Sequence, residues 1–387
     1  MIQRPEFVRQ VKEVFEVHPV CALLGPRQCG KTTLSRMITQ GEPAVVFDLE
    51  DPVDLRRLET PKTTLQDIQG LVIIDEIQRK PELYPLLRVL VDRPANPARF
   101  LVLGSASPHL VKGTSESLAG RIGFVDLTPF AFEEVRAQGL ERVWLRGGFP
   151  RSLLAQSDAS SFAWRRDFTR TFLERDIPQL GISIPAETLR RFWTMVAHLH
   201  GNVWNAAELA RSLGSSENTA RRYLDILAGA FMVRILPPWF ESLSKRQVKS
   251  PKVYVRDSGV LHSLLGLEGL EAVRGHPKAG ASWEGFALEQ VVHGLRTRDA
   301  YFWGTHGGAE LDLLVLHSGH RYGFEFRLAD APGTSRSMRI ALNDLGLEHL
   351  WVVYPGETAY ELDEAISVLP LEGVPELCRT LQGQALG

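Results

Sequence analysis

A glycine-rich motif near the N-terminus restricts the fold of this chain more than any other feature. It reads Gly25-Pro-Arg-Gln-Cys-Gly30-Lys31-Thr32 and matches the pattern G-x-x-x-x-G-K-[ST] at every fixed position. An apolar run precedes it, and a helical pattern begins at Lys31. Glycines let backbone N–H groups wrap around an anion, and the following helix N-terminus favours negative charge. The motif therefore predicts a strand, a loop and a helix that bind nucleotide phosphates. The predicted contact residues are Gly25, Pro26, Arg27, Gln28, Cys29, Gly30, Lys31, Thr32 and Thr33.

Within this motif, Lys31 is expected to neutralise the β- and γ-phosphates, and the Thr32 hydroxyl is expected to bind Mg²⁺. A second motif is Leu71-Val-Ile-Ile-Asp75-Glu76, in which Asp75 lies 44 residues after Lys31. Four apolar residues indicate a buried strand that ends in two carboxylates. Ligands bind at that end of a parallel sheet. We expect Asp75 to hold Mg²⁺ and Glu76 to orient and deprotonate the attacking water. An Asp-Glu pair that only caps a helix is the alternative.

Two further candidates for catalysis follow in the chain. The run Phe100-Leu-Val-Leu-Gly-Ser105 ends in small polar residues, and Ser105, with Ser107 second, would contact the γ-phosphate or the attacking water. A plain serine turn is the alternative. Arg121 follows a glycine turn and would reach the phosphates of a neighbouring copy, as an arginine finger does in a homo-oligomer. A structural ion pair is the alternative for Arg121.

Apolar runs alternate with helical patterns in the first part of the chain, which indicates an α/β fold with a parallel sheet covered on both faces. Strands are predicted at 20–24, 44–49, 71–74 and 100–103. A mainly helical stretch follows at about 130–200, then short helices and a strand, and finally an α+β segment. We predict three domains, which span residues 1–200, 201–265 and 275–387.

The motifs GPRQ-x-GKTTL, LVIIDEIQ, LGS-x-S, SLAGR and GGFP, in this order, resemble a prokaryotic family of AAA-plus ATPases that carry a C-terminal domain of unknown function. The resemblance extends to SPKVYVRDSG and WEG further along the chain. It implies an ATPase core with a helical lid, a winged helix, and ATP as the nucleotide. Arg121 matches the LAGR motif of the family, and this raises its weight as a catalytic candidate.

A helix-turn-helix layout is predicted between residues 204 and 227, with a glycine turn at Gly214 and serines at the start of the second helix. In a DNA-reading role, the start of that helix would enter the groove and a basic wing would contact the backbone. Duplex DNA would then be bound through residues 211–256. Packing against the lid or a partner protein is the alternative. The groove residues would be Ser216, Asn218, Thr219 and Arg222, and the wing residues Lys245, Arg246, Lys249 and Lys252.

In the C-terminal segment, Glu284, Asp312 and Glu325-Phe-Arg327 resemble the restriction-endonuclease-like core, in which an Asp and a Glu hold Mg²⁺. The lysine that normally completes this pattern is replaced by Arg327. Arginine stabilises phosphate charge but does not deprotonate water, because its pKa stays above about 12. A degenerate fold used for protein contact is therefore favoured over a nuclease.

The net charge of −2 conceals an uneven distribution. Residues 201–256 hold 9 Lys and Arg against 4 Asp and Glu, whereas residues 257–387 hold 9 against 18. The first segment suits contact with phosphates, and the acidic second segment suits a protein partner better than DNA. Three cysteines without metal-ligand spacing favour a reducing cytoplasm. Without a long apolar stretch, no membrane span is expected.

Together these patterns predict an ATP-binding, Mg²⁺-dependent ATPase that couples its nucleotide state to movement of a winged-helix and C-terminal module, in association with nucleic acid. A nucleotide-dependent protein-interaction switch with little turnover is the first alternative. A Mg²⁺-dependent nuclease that uses the C-terminal carboxylates is the second.

Overall fold

The computed structural model describes residues 2–40, 43–94, 98–106, 118–240 and 248–383. The contacts divide the chain into two compact units. The first unit contains residues 1–130, 170–186 and 225–232, and the second contains 131–169, 187–224 and 233–387. Each unit is described by itself.

The first unit is built on a parallel β-sheet, as the alternation of apolar and helical patterns predicts. Its strands are β1 (Val20–Leu24), β2 (Ala44–Asp48), β3 (Gly70–Asp75), β4 (Ala98–Gly104) and β5 (Ile122–Asp126). Among the described residues the strand order is β2-β3-β4-β1-β5, and all pairs are parallel. The side chains of β1 are fully buried, and those of β3 and β4 almost so, which is why these strands read as continuous apolar runs.

Helices cover this sheet, and several of them begin at a proline. Proline occupies the first turn of three of them, where its missing N–H costs no hydrogen bond. The helices are α1 (Pro5–Val17), α2 (Lys31–Ile38), α3 (Pro52–Arg57), α4 (Pro61–Leu65) and α5 (Leu83–Val91), and a 3₁₀ turn spans Ile77–Arg79.

The predicted helical stretch after residue 130 is present in the structure. Its helices are α6 (Leu140–Arg146), α7 (Pro150–Leu153), α8 (Asp158–Thr171), α9 (Ile177–Gln179) and α10 (Ala186–His198), with a 3₁₀ helix at Phe132–Gln138. A π-helical turn, Phe172–Asp176, directly follows α8. Such turns are rare in proteins as a whole, and many of those that occur lie at functional sites.

A helix-turn-helix and a small antiparallel sheet come next, and they belong to the second unit except for residues 225–232. Helices α11 (Ala206–Leu213) and α12 (Glu217–Gly229) are joined by a turn in which Gly214 has a φ of +65°. Ser216 Oγ accepts a hydrogen bond from the N–H of Thr219 at 3.2 Å and so caps α12, as the sequence predicts. The sheet has the order β6-β8-β7, from β6 (Asn202–Val203), β7 (Val233–Leu236) and β8 (Lys252–Val255).

The C-terminal part of the second unit is a mixed sheet packed against a long buried helix. The long helix is α15 (Ala279–Leu295), which contains the fully buried Trp283, and the described strands, numbered β9 to β14 along the chain, pair in the order β13-β14-β12-β11-β10-β9. The strands are β9 (Ala300–Gly304), β10 (Glu310–His317), β11 (His320–Phe326), β12 (His349–Tyr354), β13 (Tyr360–Asp363) and β14 (Ile366–Pro370). The helices are α13 (Ser258–Leu264), α14 (Leu270–Arg274), α15 (Ala279–Leu295), α16 (Arg336–Leu345) and α17 (Val374–Leu381).

Five strands were not anticipated from the sequence, namely β5, β6, β7, β13 and β14. They are short, with at most five residues each, and all of them lie at or next to the edge of their described sheet, so their residues do not form a long apolar run or a clean alternation. Over the described part of the chain, no helix combines the length and the apolar character that crossing a membrane requires.

Candidate nucleotide-binding site

The glycine-rich loop connects β1 to α2, and its shape depends on the two glycines of the motif. A Cβ on Gly25 would lie 2.1 Å from the carbonyl oxygen of Leu127, so no larger residue fits there. Gly30 has a φ of +105°, a conformation that side chains with a Cβ rarely adopt. The two glycines thus allow a tight loop that leads directly into the N-terminus of α2. Backbone N–H groups at such a helix start bind phosphates.

The other loop residues differ in exposure. Pro26 and Cys29 are buried, whereas Gln28 and Thr33 are exposed. Cys29 donates from Sγ to the Leu127 carbonyl at 3.7 Å, and burial raises the pKa of its thiol. The thiol is therefore a packed group of the loop and a poor nucleophile.

Lys31, Thr32 and Asp75 come together at the C-terminal edge of the sheet. Lys31 is only 5 % exposed, and its Nζ donates to the carbonyl oxygens of Gly25 and Pro26, each at 3.0 Å. Thr32 Oγ1 donates to Asp75 Oδ2 at 2.7 Å, although the two residues are 43 positions apart. Burial raises the pKa of Asp75, and the hydrogen bond from Thr32 opposes that rise. A hydroxyl beside a carboxylate is a donor set that suits Mg²⁺.

Glu76 lies next to Asp75 in a strained backbone conformation, with a φ of +55°. Its carboxylate accepts hydrogen bonds from Gln78 Nε2 and, at 3.3 Å, from Ser105 Oγ. Gln78 Nε2 also donates to Ser105 Oγ at 2.9 Å. Gln78 therefore links two predicted site residues, the base Glu76 and Ser105. The sequence analysis did not identify Gln78. Gln78 could have been identified because it is the last residue of the motif LVIIDEIQ.

A second group missed from the sequence surrounds Arg27 in the loop. Its guanidinium donates to Asp176 Oδ1 at 2.7 Å, to Gln179 Oε1 at 3.1 Å and to Glu50 Oε1 at 2.6 Å. Burial raises the pKa of Asp176 to about 6, and the nearby Arg27 opposes this. The π-helical turn at Phe172–Asp176 is thereby joined to the glycine-rich loop. No spacing rule connects positions 27 and 176, so the sequence offered no signal for this pair.

Arg121 lies apart from these groups in the described structure. Its Nε donates to Asp92 Oδ1 at 2.5 Å, and both side chains are partly exposed. This is the ion pair that the sequence left open as the alternative. Action on the phosphates of another copy stays a prediction. Ser107, the second serine candidate, lies outside the described residues.

In the second unit, the four C-terminal candidates Glu284, Asp312, Glu325 and Arg327 form one charged cluster with Lys252 of β8. Lys252 Nζ contacts Glu284 Oε1 and Asp312 Oδ1, each at 3.4 Å. The expectation that Lys252 belongs to an exposed basic wing is therefore wrong, because the side chain is only 5 % exposed and paired with carboxylates.

The remaining predicted DNA-contact residues are partly described. Ser216, Asn218 and Arg222 are exposed, and Thr219 is half-buried at the start of α12. Lys249 is exposed, whereas Lys245 and Arg246 lie outside the described residues.

Comparison with known proteins places this site in a family. A family profile described as an AAA domain matches residues 17–136, which contain the whole loop and both carboxylates. Two domains of unknown function follow, DUF8612 over residues 137–271 and DUF4143 over residues 279–374. The chain is 50 % identical over 374 residues to the uncharacterized proteins Rv2008c of Mycobacterium tuberculosis and Mb2031c of Mycobacterium bovis. The match covers 97 % of this chain and 85 % of each relative.

Among solved structures, the chain is similar to the Walker-type ATPase paby2304 of Pyrococcus abyssi, with 18 % identity and a TM-score of 0.49 over 68 % of this chain and 96 % of that one. It is also similar to the DNA clamp loader delta protein (YqeN) of Bacillus subtilis, with 15 % identity and a TM-score of 0.27 over 59 % of this chain and 88 % of that one.

The fold and the glycine-rich loop define a P-loop protein of the AAA-plus ATPase class. More narrowly, the chain belongs to the family of Rv2008c and Mb2031c, and in this chain the AAA domain is followed by two domains of unknown function.

Proposed function

We propose that this protein binds ATP at the glycine-rich loop and hydrolyses it in a Mg²⁺-dependent reaction. The observation that supports this most strongly is the convergence of Thr32, Asp75 and Glu76 at the end of β3, with Thr32 Oγ1 2.7 Å from Asp75. Two oxygen ligands for a cation, beside a carboxylate base and a phosphate-binding loop, are the parts that phosphoryl transfer to water requires.

In this proposal, the loop N–H groups and Lys31 bind the phosphates. Lys31 Nζ now donates to the carbonyls of Gly25 and Pro26, and its donors would turn to phosphate oxygens when ATP enters. Thr32 and Asp75 would hold Mg²⁺, which supplies charge neutralisation on the phosphates when bound. Catalysis otherwise depends on positioning, since this reaction demands little covalent chemistry from the protein.

Glu76 is the proposed general base. Its carboxylate takes a proton from the attacking water, and Gln78 and Ser105 fix its direction through their hydrogen bonds. Ser105 also offers a hydroxyl beside the water position that Glu76 defines.

The binding step is tested with the K31A variant and a fluorescent ATP analogue. Since Lys31 supplies a charge-assisted hydrogen bond, its loss is expected to weaken binding by about tenfold to a hundredfold. The control K62A removes an exposed lysine of α4 and should leave binding unchanged. Equal affinity of K31A and K62A would remove the basis for phosphate binding at this loop.

We also infer that the helix-turn-helix contacts duplex DNA, because the start of α12 presents exposed Asn218, Arg221 and Arg222 in a basic segment. Each phosphate contact releases counterions, so binding should weaken steeply with salt. The R222A variant should bind less tightly, with the salt slope reduced by about 1. The control R339A removes an exposed arginine of α16. DNA binding that is absent, or equal in R222A and R339A, would favour a protein-interaction role.

A further inference from the structure

The guanidinium of Arg27 is held at three points beside the glycine-rich loop that carries it. Its Nη1 donates to Asp176 at 2.7 Å and to Gln179 at 3.1 Å, and its Nη2 donates to Glu50 at 2.6 Å. These hydrogen bonds use three of the five N–H groups of an arginine side chain. Within the part of the chain that the structure describes, the N–H on Nε and one N–H on Nη2 remain for a further ligand.

The backbone is unusual on both sides of the contact between Arg27 and Asp176. Gln28, directly after Arg27, has a φ of +63°, a conformation that residues other than glycine rarely adopt. Asp176 is the last residue of the π-helical turn, in which Phe172 and Leu173 are buried. Strained backbone and π-helical turns are found preferentially at functional sites. The contact between Arg27 and Asp176 is therefore a candidate for a functional one.

Positive charge exceeds negative charge around the two carboxylates that hold Arg27. Glu50 Oε1 accepts from Arg27 and also lies 3.4 Å from Arg175 Nη2. Arg79 Nη1 lies 3.7 Å from the same oxygen. Three arginines thus share the carboxylates of Glu50 and Asp176. Arginine suits phosphate oxygens because its planar fork donates two parallel hydrogen bonds, so a phosphate is the anion that this group fits.

The position of Arg27 relative to Glu76 indicates which part of a nucleotide it would meet. Burial alone would lower the pKa of Arg27, but the charges of Asp176 and Glu76 raise it. Burial raises the pKa of Asp176 to about 6, and Glu76 adds to that rise. Charges act strongly only at short range, so Arg27 and Asp176 lie near the proposed base. The base takes its proton from the water that attacks the terminal phosphate, which places Arg27 at that end of the nucleotide.

We propose that Arg27 is a catalytic arginine that the chain supplies to its own active site, and that Asp176 positions it. The two remaining donors of Arg27 bind the terminal phosphate. They stabilise the negative charge on its oxygens while the bond to the leaving ADP breaks and the bond to the water oxygen forms. Glu76 accepts the proton of the water, and ADP and inorganic phosphate are the products. This inference rests on the ATP hydrolysis proposed above.

The test compares wild type, R27A, R27K and the control R36A, which removes an exposed arginine of α2. ATP turnover is followed by phosphate release, and binding of ADP is measured with and without aluminium fluoride, which mimics the transferred phosphate. R27A is expected to lower kcat at least about a hundredfold and to weaken binding of ADP with aluminium fluoride by a similar factor. Its affinity for ADP alone should stay within about threefold of wild type. R36A should match wild type throughout.

The role of Asp176 is tested by a double-variant comparison. D176N keeps the shape of the side chain but loses the charge that aims Arg27, so it should lower kcat about tenfold without changing the affinity for ADP. Because Asp176 acts through Arg27, the double variant R27A/D176N should be no slower than R27A. A double variant that is slower than R27A by the full factor of D176N would overturn the positioning role.

Two results would overturn the catalytic role of Arg27 while ATP hydrolysis by wild type stands. One is an R27A protein that turns over ATP at the wild-type rate, and the other is an R27A protein whose affinity for ADP falls as much as its kcat. If R27A does not fold, R27K decides, since it keeps the charge without the planar fork and should be at least about tenfold slower than wild type. A wild type without ATP turnover and without tighter ADP binding in aluminium fluoride would overturn the proposed function and this inference together.

Discussion

At the scale of single residues, the candidate catalytic centre depends on how Glu76 is held. Its left-handed backbone and its bonds to Gln78 and Ser105 fix the carboxylate in one direction. The hydrogen bonds that Gln78 Nε2 donates go to Glu76 and Ser105. Its role is therefore to position the base, and its removal should affect turnover rather than binding.

We predict that Q78A lowers kcat for ATP by about tenfold or more while KM changes little, because general-base catalysis contributes about 10²–10⁴-fold and depends on alignment. Steady-state kinetics measure this split. The isosteric Q78E places a second carboxylate beside Glu76 and should move the acidic limb of the pH–rate profile to higher pH. A rise in KM with unchanged kcat, or an unshifted profile in Q78E, would refute the positioning role.

At the scale of elements, the sequence predicted the helices, strands and loop whose structure depends on residues that are close together in the chain. Apolar runs predicted the buried strands β1, β3 and β4. The loop motif predicted the strand before it, β1, and the helix after it, α2. Lys252 was misassigned because its neighbours in sequence are basic and polar, whereas its partners Glu284 and Asp312 lie 32 and 60 positions away. The available signal was the K-V-Y-V pattern of β8, in which Lys252 shares a face with Tyr254. The pairing of Arg27 with Asp176 is similarly a product of tertiary structure alone.

Helix α15 is joined to the three-stranded sheet by a buried ion cluster. Glu289 is 8 % exposed, and its Oε2 accepts from Arg234 Nη2 at 2.9 Å and from Arg256 at 3.3 Å. Burial alone would raise the pKa of Glu289, but the two arginines dominate and lower it to about 2. A carboxyl whose folded pKa is depressed stabilises the fold above its unfolded pKa.

This cluster predicts a specific pH dependence. The stabilisation by Glu289 is complete above about pH 4.5, amounts to about 3 kcal/mol, and is lost as pH falls toward 2. In urea unfolding followed by tryptophan fluorescence, E289Q should be less stable than wild type at pH 7, and the difference should shrink on acidification. The control E271Q alters an exposed glutamate of α14 and should show little difference at any pH. A wild-type minus E289Q difference that does not change with pH would contradict the assignment.

At the scale of the whole molecule, the two compact units carry different chemistry. The first contains the loop, Asp75 and Glu76, and the second contains most of the helix-turn-helix and the charged cluster of Lys252, Glu284 and Asp312. The net charge is divided differently, because the basic segment at 201–256 and the acidic segment after it both lie mainly in the second unit. ATP turnover in the first unit is the claim on which the proposed function rests.

The most direct measurement of that claim is the rate of ATP hydrolysis by E76Q beside wild type, with ATP affinity measured on the same samples. Glutamine keeps the shape of Glu76 and a hydrogen bond but does not accept the proton of water. We predict that E76Q binds ATP as wild type does and hydrolyses it at least about a hundredfold more slowly. An E76Q protein that turns over ATP at the wild-type rate would contradict the account, because Glu76 would then not be the base.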